Sequence, residues 1–200
     1  GRAGILSASG FIRDIDDLIR REISLQNTPT GPRWVSTPGN IGHARTKGIE
    51  LEAKFKLAEL MDDAPAIDLR SNYSRFWSRV DNIPGPNNRL DQQPDMTANL
   101  GGDYRLRGLP LTLGGNVNWN PAYDTRRTDQ QWAYQGAKRV VDVYGLWRLS
   151  PSAGLRLTVS NLIPRDYQTA TTFSNGTQSE TAKTTDRNWR NIQLRLEMKI

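Results

Sequence analysis

Apolar and polar residues alternate strictly in residues 192–200, and a chain with this pattern has few ways to fold. Ile192, Leu194 and Leu196 belong to the apolar series, and Gln193 and Arg195 to the polar one. A helix would spread the charged residues over all of its sides, whereas a β-strand places them on one face. The segment therefore predicts a strand with one apolar and one polar face.

The same alternation recurs along the whole chain and predicts about nine strands. These are residues 5–15, 18–25, 49–55, 67–79, 95–105, 111–120, 140–149, 155–160 and 192–200. The pattern predicts an all-β fold with antiparallel strands. If the last strand runs toward the end with the short turns, an odd number of antiparallel strands means that the first strand runs in the same direction. The first strand then begins at the long-loop end.

Short and long connections alternate between the predicted strands. The short ones are residues 15–17, 57–65, 106–110 and 150–153. The long, polar ones are residues 26–45, 81–94, 121–137 and 165–186. Structureless loops of such length are uncommon in compact domains unless they are functional. Short turns at one end and long loops at the other are typical of bacterial barrels, with the long loops outside the cell.

Composition disfavours several other classes of protein. Of the 200 residues, 36% are hydrophobic, and no apolar run approaches the roughly 20 residues that a membrane-spanning helix requires. A transmembrane barrel remains compatible with this composition, since its strands are apolar on one face only. The formal charge of +6 comes from basic residues interleaved with acidic and apolar ones, which disfavours nucleic-acid binding.

Residues for metal, thiol or nucleophilic chemistry are missing or isolated. The chain has no cysteine, and its one histidine, His43, stands in a loop-like stretch without neighbouring ligand-type spacing. No nucleophile-base arrangement or phosphate-binding loop occurs, and the glycine pairs at 101–102 and 114–115 are interpreted as strand glycines. The chain is therefore not expected to be an enzyme or to bind a cofactor.

Aromatic residues on the apolar parity collect at both ends of the predicted strands. At the turn ends they are Phe55, Tyr104 and Trp147, and at the loop ends Trp77, Trp119 and Tyr167. Two such bands suit the two membrane interfaces, because the ring and its polar tip match the headgroup region. Trp189 lies on the polar parity and departs from the pattern. The bands favour a membrane barrel over a soluble β-sandwich, which would not require them.

Several segments resemble the C-terminal half of the TonB-dependent outer-membrane receptors. Residues 10–19 (GFIRDIDDLI) look like a strand-turn-strand of that family, and residues 46–52 (TKGIELE) look like its next strand. Residues 141–167 are similar to its penultimate hairpin, where the family usually has Asn-Leu-Phe-Asp and this chain has Ile163 and Pro164 in the last two places. The likeness lies in the order of these pieces along the chain.

The resemblance implies that residues 1–200 form the C-terminal portion of a barrel of about 22 strands in the bacterial outer membrane. The N-terminal plug, the segment that contacts TonB and the earlier strands are then expected upstream of this chain. The implied function is uptake of a scarce nutrient such as a ferric siderophore, energised through TonB. The implied partners are that small molecule, TonB and the lipid of the outer membrane.

Loop residues that combine cations with planar rings are the candidate ligand-binding residues. They are Arg33, Trp34, Tyr123, Arg126, Arg127, Trp132 and Tyr134. Such groups suit an anionic, aromatic iron chelate through charge pairing and stacking. Alternatively, the arginines meet anionic lipid headgroups and the rings pack the loops. Five charged residues on the polar face are expected to form cross-strand ion pairs, namely Glu50, Glu52, Lys54, Arg195 and Glu197.

Two other functions remain open at the level of the sequence. A passive, porin-like channel would share the barrel but lack a plug. A soluble β-sandwich binding module would turn the apolar faces into a core. The sequence upstream of residue 1 would distinguish the channel from the receptor, and a requirement for detergent would distinguish either barrel from the sandwich.

Overall fold

The computed structural model describes residues 4–199, and these residues form antiparallel β-structure with one short 3₁₀ turn at Leu57–Glu59. In chain order the strands are β1 (Gly4–Ile15), β2 (Ile19–Thr28), β3 (Gly31–Asn40), β4 (Ala44–Lys56), β5 (Ile67–Val80), β6 (Met96–Arg105), β7 (Leu111–Asn120), β8 (Tyr123–Arg126), β9 (Gln131–Gln135), β10 (Lys138–Ser150), β11 (Ala153–Ser160), β12 (Tyr167–Ser174), β13 (Ser179–Asp186) and β14 (Asn191–Met198). Among the described residues, no helix is both long and apolar enough to cross a membrane.

Eight of these strands form one continuous sheet, which we call the wall. Its order is β1-β4-β5-β6-β7-β10-β11-β14, and every neighbouring pair is antiparallel. The remaining strands belong to the long connections, as a β2-β3 hairpin and a second sheet in the order β13-β12-β9-β8. The all-β, antiparallel fold class is therefore confirmed.

The register of the wall places apolar residues opposite apolar residues. Between β11 and β14, for example, Leu157 lies opposite Leu194 and Leu155 opposite Leu196. Since side chains alternate between the faces of a sheet, this register gathers the apolar series on one face, the outer face, and the polar series on the inner face. Leu194 and Leu196 are 65% and 58% exposed, which suits a surface covered by lipid.

The buried apolar cluster lies where the wall meets its long connections. It consists of Ile41, Ala44, Val80 and Ile83. Ala44 and Val80 are register partners on the inner face of β4 and β5, and Ile41 and Ile83 lie just beyond these strand ends. This buried cluster therefore packs the first residues of the long connections against the ends of β4 and β5.

Hydrogen bonds cross the inner face of the wall at Asp103 in β6. Arg70 of β5 donates to this carboxylate at 2.6 Å, and the Tyr144 hydroxyl of β10 donates to it at 2.5 Å. The second bond spans β7, because Gly114 lies between Asp103 and Tyr144 in the register. A Cβ at Gly114 would lie 2.3 Å from the tyrosine ring and 2.4 Å from the carboxylate. Only glycine leaves room for this contact.

Of the five residues predicted to form cross-strand ion pairs on the inner face, Glu197 does so within the described part of the chain, where it accepts a hydrogen bond from Arg156 of the neighbouring strand at 2.7 Å. Lys54 instead contacts Glu52 within its own strand. Arg195 donates to Gln193, also within one strand, at 3.4 Å. A long side chain reaches the residue two positions along its own strand as easily as it reaches a neighbour on the next strand. The alternation of the sequence therefore does not predict which of these partners it contacts.

The wall has eight strands where about nine were predicted, because residues 18–25 are not part of it. They begin the β2-β3 hairpin, which closes locally around Gly31, a residue with φ of +106°. Residues 15–17 therefore lie at the long-loop end, and β1 runs in the direction opposite to the one expected. Alternation predicts a strand but does not show whether its partner lies in the wall or in the loop.

The outer-face aromatic bands are confirmed in the wall with one exception. Phe55, Tyr104 and Trp147 take outer-face positions at the turn end, and Trp77 and Trp119 take them at the loop end. Tyr167 instead lies in β12 of the loop sheet, where its hydroxyl donates a 2.5 Å hydrogen bond to Gln135. It was placed wrongly because residues 165–186, expected to be a loop, contain two strands of their own.

We expect Leu194→Arg to destabilise the complete barrel by about 2 to 4 kcal/mol, because it places a charge on the lipid-facing side near the middle of β14. Gln193→Arg adds the same group to the inner face and should have little effect. Refolding of the complete barrel protein into lipid vesicles, followed across a denaturant series, measures both. Equal destabilisation by the two variants would contradict the assignment of the outer face.

Candidate functional site

The long connections at one end of the wall are folded, and we call them the loop assembly: the β2-β3 hairpin, the β13-β12-β9-β8 sheet and residues 81–95. Turn residues explain the hairpins. Gly31 and Gly176 have φ of +106° and +92°, and the side-chain oxygen of Asn175 accepts the backbone amide of Gln178 at 2.8 Å. Such residues let the chain reverse within a loop, so that neighbouring segments pair locally.

Arg20 joins three parts of the loop assembly. It lies in β2, and its side chain is 3% exposed. Its guanidinium donates hydrogen bonds to three backbone carbonyls, those of Arg89 (2.8 Å), Arg127 (3.2 Å) and Arg126 (3.5 Å). Its Nε lies 3.3 Å from a carboxylate oxygen of Asp91. One side chain thus ties the hairpin to the β5–β6 connection and to the turn after β8.

Arg20 is a buried charge with one acidic partner. Burial lowers the pKa of its guanidinium, the Asp91 carboxylate raises it, and the nearby Arg127 lowers it further. Because a guanidinium remains protonated at neutral pH despite such shifts, the loop assembly contains a cation held by one carboxylate and by carbonyl dipoles. Loss of Asp91 would leave the buried guanidinium without its acidic partner.

The predicted ligand residues of β8 and β9 divide between two faces of the loop sheet. The register pairs Tyr123 with Gln135 and Arg126 with Trp132. Since alternate residues of a strand point to opposite faces, Tyr123 lies on one face, and Arg126, Trp132 and Tyr134 lie on the other. No feature of the sequence separates these residues, because residues 121–137 are predicted as a loop and not as strands.

The face that carries Tyr123 is the covered one. Its neighbours Thr125, Gln131 and Ala133 are 2%, 3% and 4% exposed. The guanidinium of Arg89 lies 6.0 Å from the centre of the Tyr123 ring. Tyr123 is half-buried on this face, and the burial raises the pKa of its hydroxyl.

Trp132 and Tyr134 share the more open face, on which Tyr134 is 37% exposed. The guanidinium carbon of Arg126 lies 5.1 Å from the centre of the Trp132 ring. The nitrogens of Arg126 donate to three backbone carbonyls, those of Gly85 (3.0 Å), Asp129 (3.1 Å) and Thr128 (3.3 Å). Arg126 therefore supports the tryptophan and the loops around it, and the two rings are the accessible part.

The remaining predicted ligand residues lie elsewhere in the loop assembly. The Nε of Arg127 lies 3.7 Å from Asp91. Arg33 is exposed on β3 of the hairpin, opposite Gln26. The side chain of Trp34 lies outside the described part of the chain. The structure thus brings together Arg126, Trp132 and Tyr134, and it does not place Arg33 among them.

Sequence reasoning missed Arg20 and Asp91, the pair at the centre of the loop assembly. Arg20 stands beside Arg21 in an alternating segment, and nothing in the pattern distinguishes the two. Arg21 is exposed, and its guanidinium donates to the hydroxyl and to the carbonyl oxygen of Ser36 of the paired strand, both at 3.1 Å. Only the packing of loops that are distant in the sequence separates their roles.

His43 lies near the base of the loops between two carboxylates. Its ring nitrogens are each 3.7 Å from an acidic oxygen, one on Asp14 and one on Asp81. Within residues 4–199, no group of three or more metal-ligating side chains is close enough to hold a metal ion.

The wall and the loop assembly together define a class of protein. A sheet with an apolar outer face, a polar inner face, short turns at one end and long loops at the other is part of a transmembrane β-barrel. The family model described as "TonB dependent receptor-like, beta-barrel" matches residues 1–162. The chain therefore belongs to this family, and its location is the bacterial outer membrane.

Among solved structures, the chain is similar to the ferripyoverdine receptor of the outer membrane of Pseudomonas aeruginosa, crystallised with ferripyoverdine bound. The two share 18% sequence identity with a TM-score of 0.61, and the match covers 98% of this chain. It covers 25% of the receptor, so this chain spans about a quarter of that protein's length. No curated protein matches the chain.

We expect Arg20→Gln to loosen the loop assembly while leaving the wall intact, because it removes the cation that joins three loop segments. The full-length protein, folded in detergent, should become more sensitive to proteinase K within residues 81–95 and 121–137. Arg21→Gln makes the same change one residue away, and proteinase K should cleave this variant at the same rate as the parent protein. If the two variants are cleaved at the same rate, Arg20 does not hold the loops together.

Proposed function

We propose that the chain supplies eight wall strands and the ligand-facing loops of an outer-membrane receptor that imports a scarce nutrient, with a ferric siderophore as the ligand. Family membership supports the receptor class, and the likeness to a ferripyoverdine receptor supports the choice of ligand. Import is energised through TonB, and the N-terminal plug and earlier strands belong to the rest of the protein. The process is transport and requires no bond-making chemistry.

The observation that carries this proposal is the folded loop assembly. A loop that moved freely would lose conformational entropy each time it bound a ligand. Here Arg20 holds three loop segments together before any ligand arrives. Preorganisation of this kind favours specific binding at the long-loop end, which we assign to the outside of the cell.

We propose the open face of β8 and β9 as the part that contacts the ligand. Trp132 and Tyr134 offer planar rings there, and Arg126 adds positive charge beside them. Rings and a cation suit a chelate that is both aromatic and anionic. Arg33 and Trp34 are proposed as a second contact on the hairpin, and Tyr123 and Arg127 as residues that shape the site from within.

Simultaneous replacement of Trp132 and Tyr134 by alanine in the full-length receptor should weaken ferric siderophore binding by roughly tenfold or more, because it removes both accessible rings. Ferripyoverdine and other ferric siderophores serve as probes on whole cells under iron limitation. Trp189→Ala is the matched control, since Trp189 is 75% exposed and lies outside this face. Equal binding by the double variant and the control would exclude this face as the ligand contact.

The same cells test the mode of transport. Iron uptake from the bound siderophore should stop in a strain without TonB, while binding at the surface continues. Uptake that persists without TonB would favour the passive channel instead.

An epitope tag inserted at Gly176 should be accessible to antibody on intact cells, because this residue lies in the exposed β12–β13 turn at the long-loop end. A Cβ at Gly176 would meet no atom within 4 Å, so the turn has room for an insertion. A tag at Ser152, in the short β10–β11 turn, should become accessible only after the outer membrane is opened. Labelling of Ser152 alone on intact cells would reverse the orientation of the wall.

A further inference from the structure

Four cations lie on the outer face of the wall at the long-loop end of β4 and β5. The register places Arg45 directly opposite Arg79, Lys47 opposite Trp77, and Arg75 opposite Ile49. The four cations and Trp77 belong to the same alternate series as the lipid-facing residue Ile49, so they lie on the outer face. Like charges directly opposite each other destabilise a sheet, and a cation on the lipid-facing side carries a small cost near the membrane interface. A partner anion would offset both costs.

The protein itself supplies only part of that compensation. Arg45 has a carboxylate oxygen of Asp14 at 2.6 Å, and Arg79 has one of Asp81 at 3.5 Å. For Lys47 and Arg75, residues 4–199 provide no carboxylate partner within ion-pair distance. Both are instead placed over the Trp77 ring, at 5.9 Å and 5.7 Å from its centre. Two cations therefore flank one tryptophan without an anion between them.

An apolar groove of about 610 Å³ adjoins these cations on the same outer face. Its outward side chains come from Ile12, Ile49 and Trp77, with Lys47 between Ile12 and Trp77 in the register, and Gly10 leaves it open on β1. Ile12 and Ile49 are 71% and 47% exposed. The groove runs across β1, β4 and β5, with Lys47 on its middle strand and Arg75 opposite Ile49 beside it.

We propose that this surface binds a phosphate-bearing lipid of the membrane, with the phosphate between Lys47 and Arg75 and one acyl chain in the groove. A soluble anion would use the cations but not the groove, and an uncharged lipid would use the groove but not the cations. A phosphorylated lipid matches both, and at the loop end of the wall its headgroup lies at the membrane surface, where Trp77 also belongs. The site is separate from the loop assembly and does not depend on the proposed uptake function.

Bound lipid would offset the repulsion among the four cations. It would also connect β1, β4 and β5 from the outside, at the height where the cluster of Ile41, Ala44, Val80 and Ile83 connects β4 and β5 from the inside. The wall beside the loop assembly is then supported on both of its faces.

Native mass spectrometry of the full-length receptor in detergent tests the proposal with phosphatidic acid as the probe. The parent protein should retain phosphatidic acid. Replacing Lys47 or Arg75 by glutamine should weaken retention roughly fivefold each, and the double change about thirtyfold. Arg13→Gln is the matched control, because Arg13 lies at the same height on the inner face, opposite Thr46. Undiminished retention by the double variant would overturn the proposal.

Two further ligands separate the parts of the site. Diacylglycerol with the same acyl chains lacks the phosphate and should be retained poorly, and glycerol 3-phosphate lacks the chains and should not displace phosphatidic acid. Equal retention of diacylglycerol would show that the groove alone binds, and full displacement by glycerol 3-phosphate would show that phosphate alone suffices. Either result would overturn the two-part site.

Gly10→Val tests the groove without changing any charge. A Cβ at this position would lie 3.6 Å from the carbonyl oxygen of Gly48, which is ordinary contact, so the strand should tolerate the change. We expect this variant to fold like the parent, as judged by heat-modifiable gel mobility, and to lose most of its phosphatidic acid. Retention at the parent level would show that the groove takes no part. This variant also keeps the proposal testable if the charge variants fold poorly.

Discussion

The wall depends on its ladder of interstrand hydrogen bonds, because a membrane offers no water to satisfy the backbone groups of a strand. Eight strands pair in sequence from β1 to β14, so the strands between these two have a hydrogen-bonded neighbour on each side along most of their length. This constraint makes a compact apolar core unnecessary in the wall. The side chains then have two separate tasks, to face lipid on the outer side and to face the lumen on the inner side, and the alternation of the sequence follows from them.

The loop assembly is held together differently. Its segments lie far apart in the sequence, and the groups that join them are a buried arginine, a carboxylate and several backbone carbonyls. Below them, Ile41, Ala44, Val80 and Ile83 form a small core that joins the loops to the wall. The wall, which lipid surrounds, is thus held by backbone pairing, and the loop assembly, which water surrounds, is held by buried polar contacts. One kind of stabilisation gives way to the other within a few residues at the ends of β4 and β5.

The wall could be predicted from sequence because its environment is repetitive. One face of every strand meets lipid, so β14 and β11 show the same alternation, and the face on which each side chain lies follows from it. The loop assembly could not be predicted in this way. β2 alternates like a wall strand but pairs within a loop, and Arg20 is indistinguishable from Arg21 until distant segments are packed together. Among the candidate ligand residues, Tyr123 and Trp132 looked equivalent in sequence, and only the pairing of β8 with β9 separates them.

Gly114 has a consequence for how the wall strands are aligned. Alternation alone does not distinguish registers that differ by two residues, since such a shift returns every side chain to its original face. A shift of this size in β7 would replace Gly114 by Thr112 or Asn116 beneath the Tyr144 ring, where even a Cβ lies within 2.3 Å of a ring atom. The absence of a side chain at Gly114 therefore selects one register. The hydrogen bond from Tyr144 to Asp103 forms only when β6, β7 and β10 are all paired in that register.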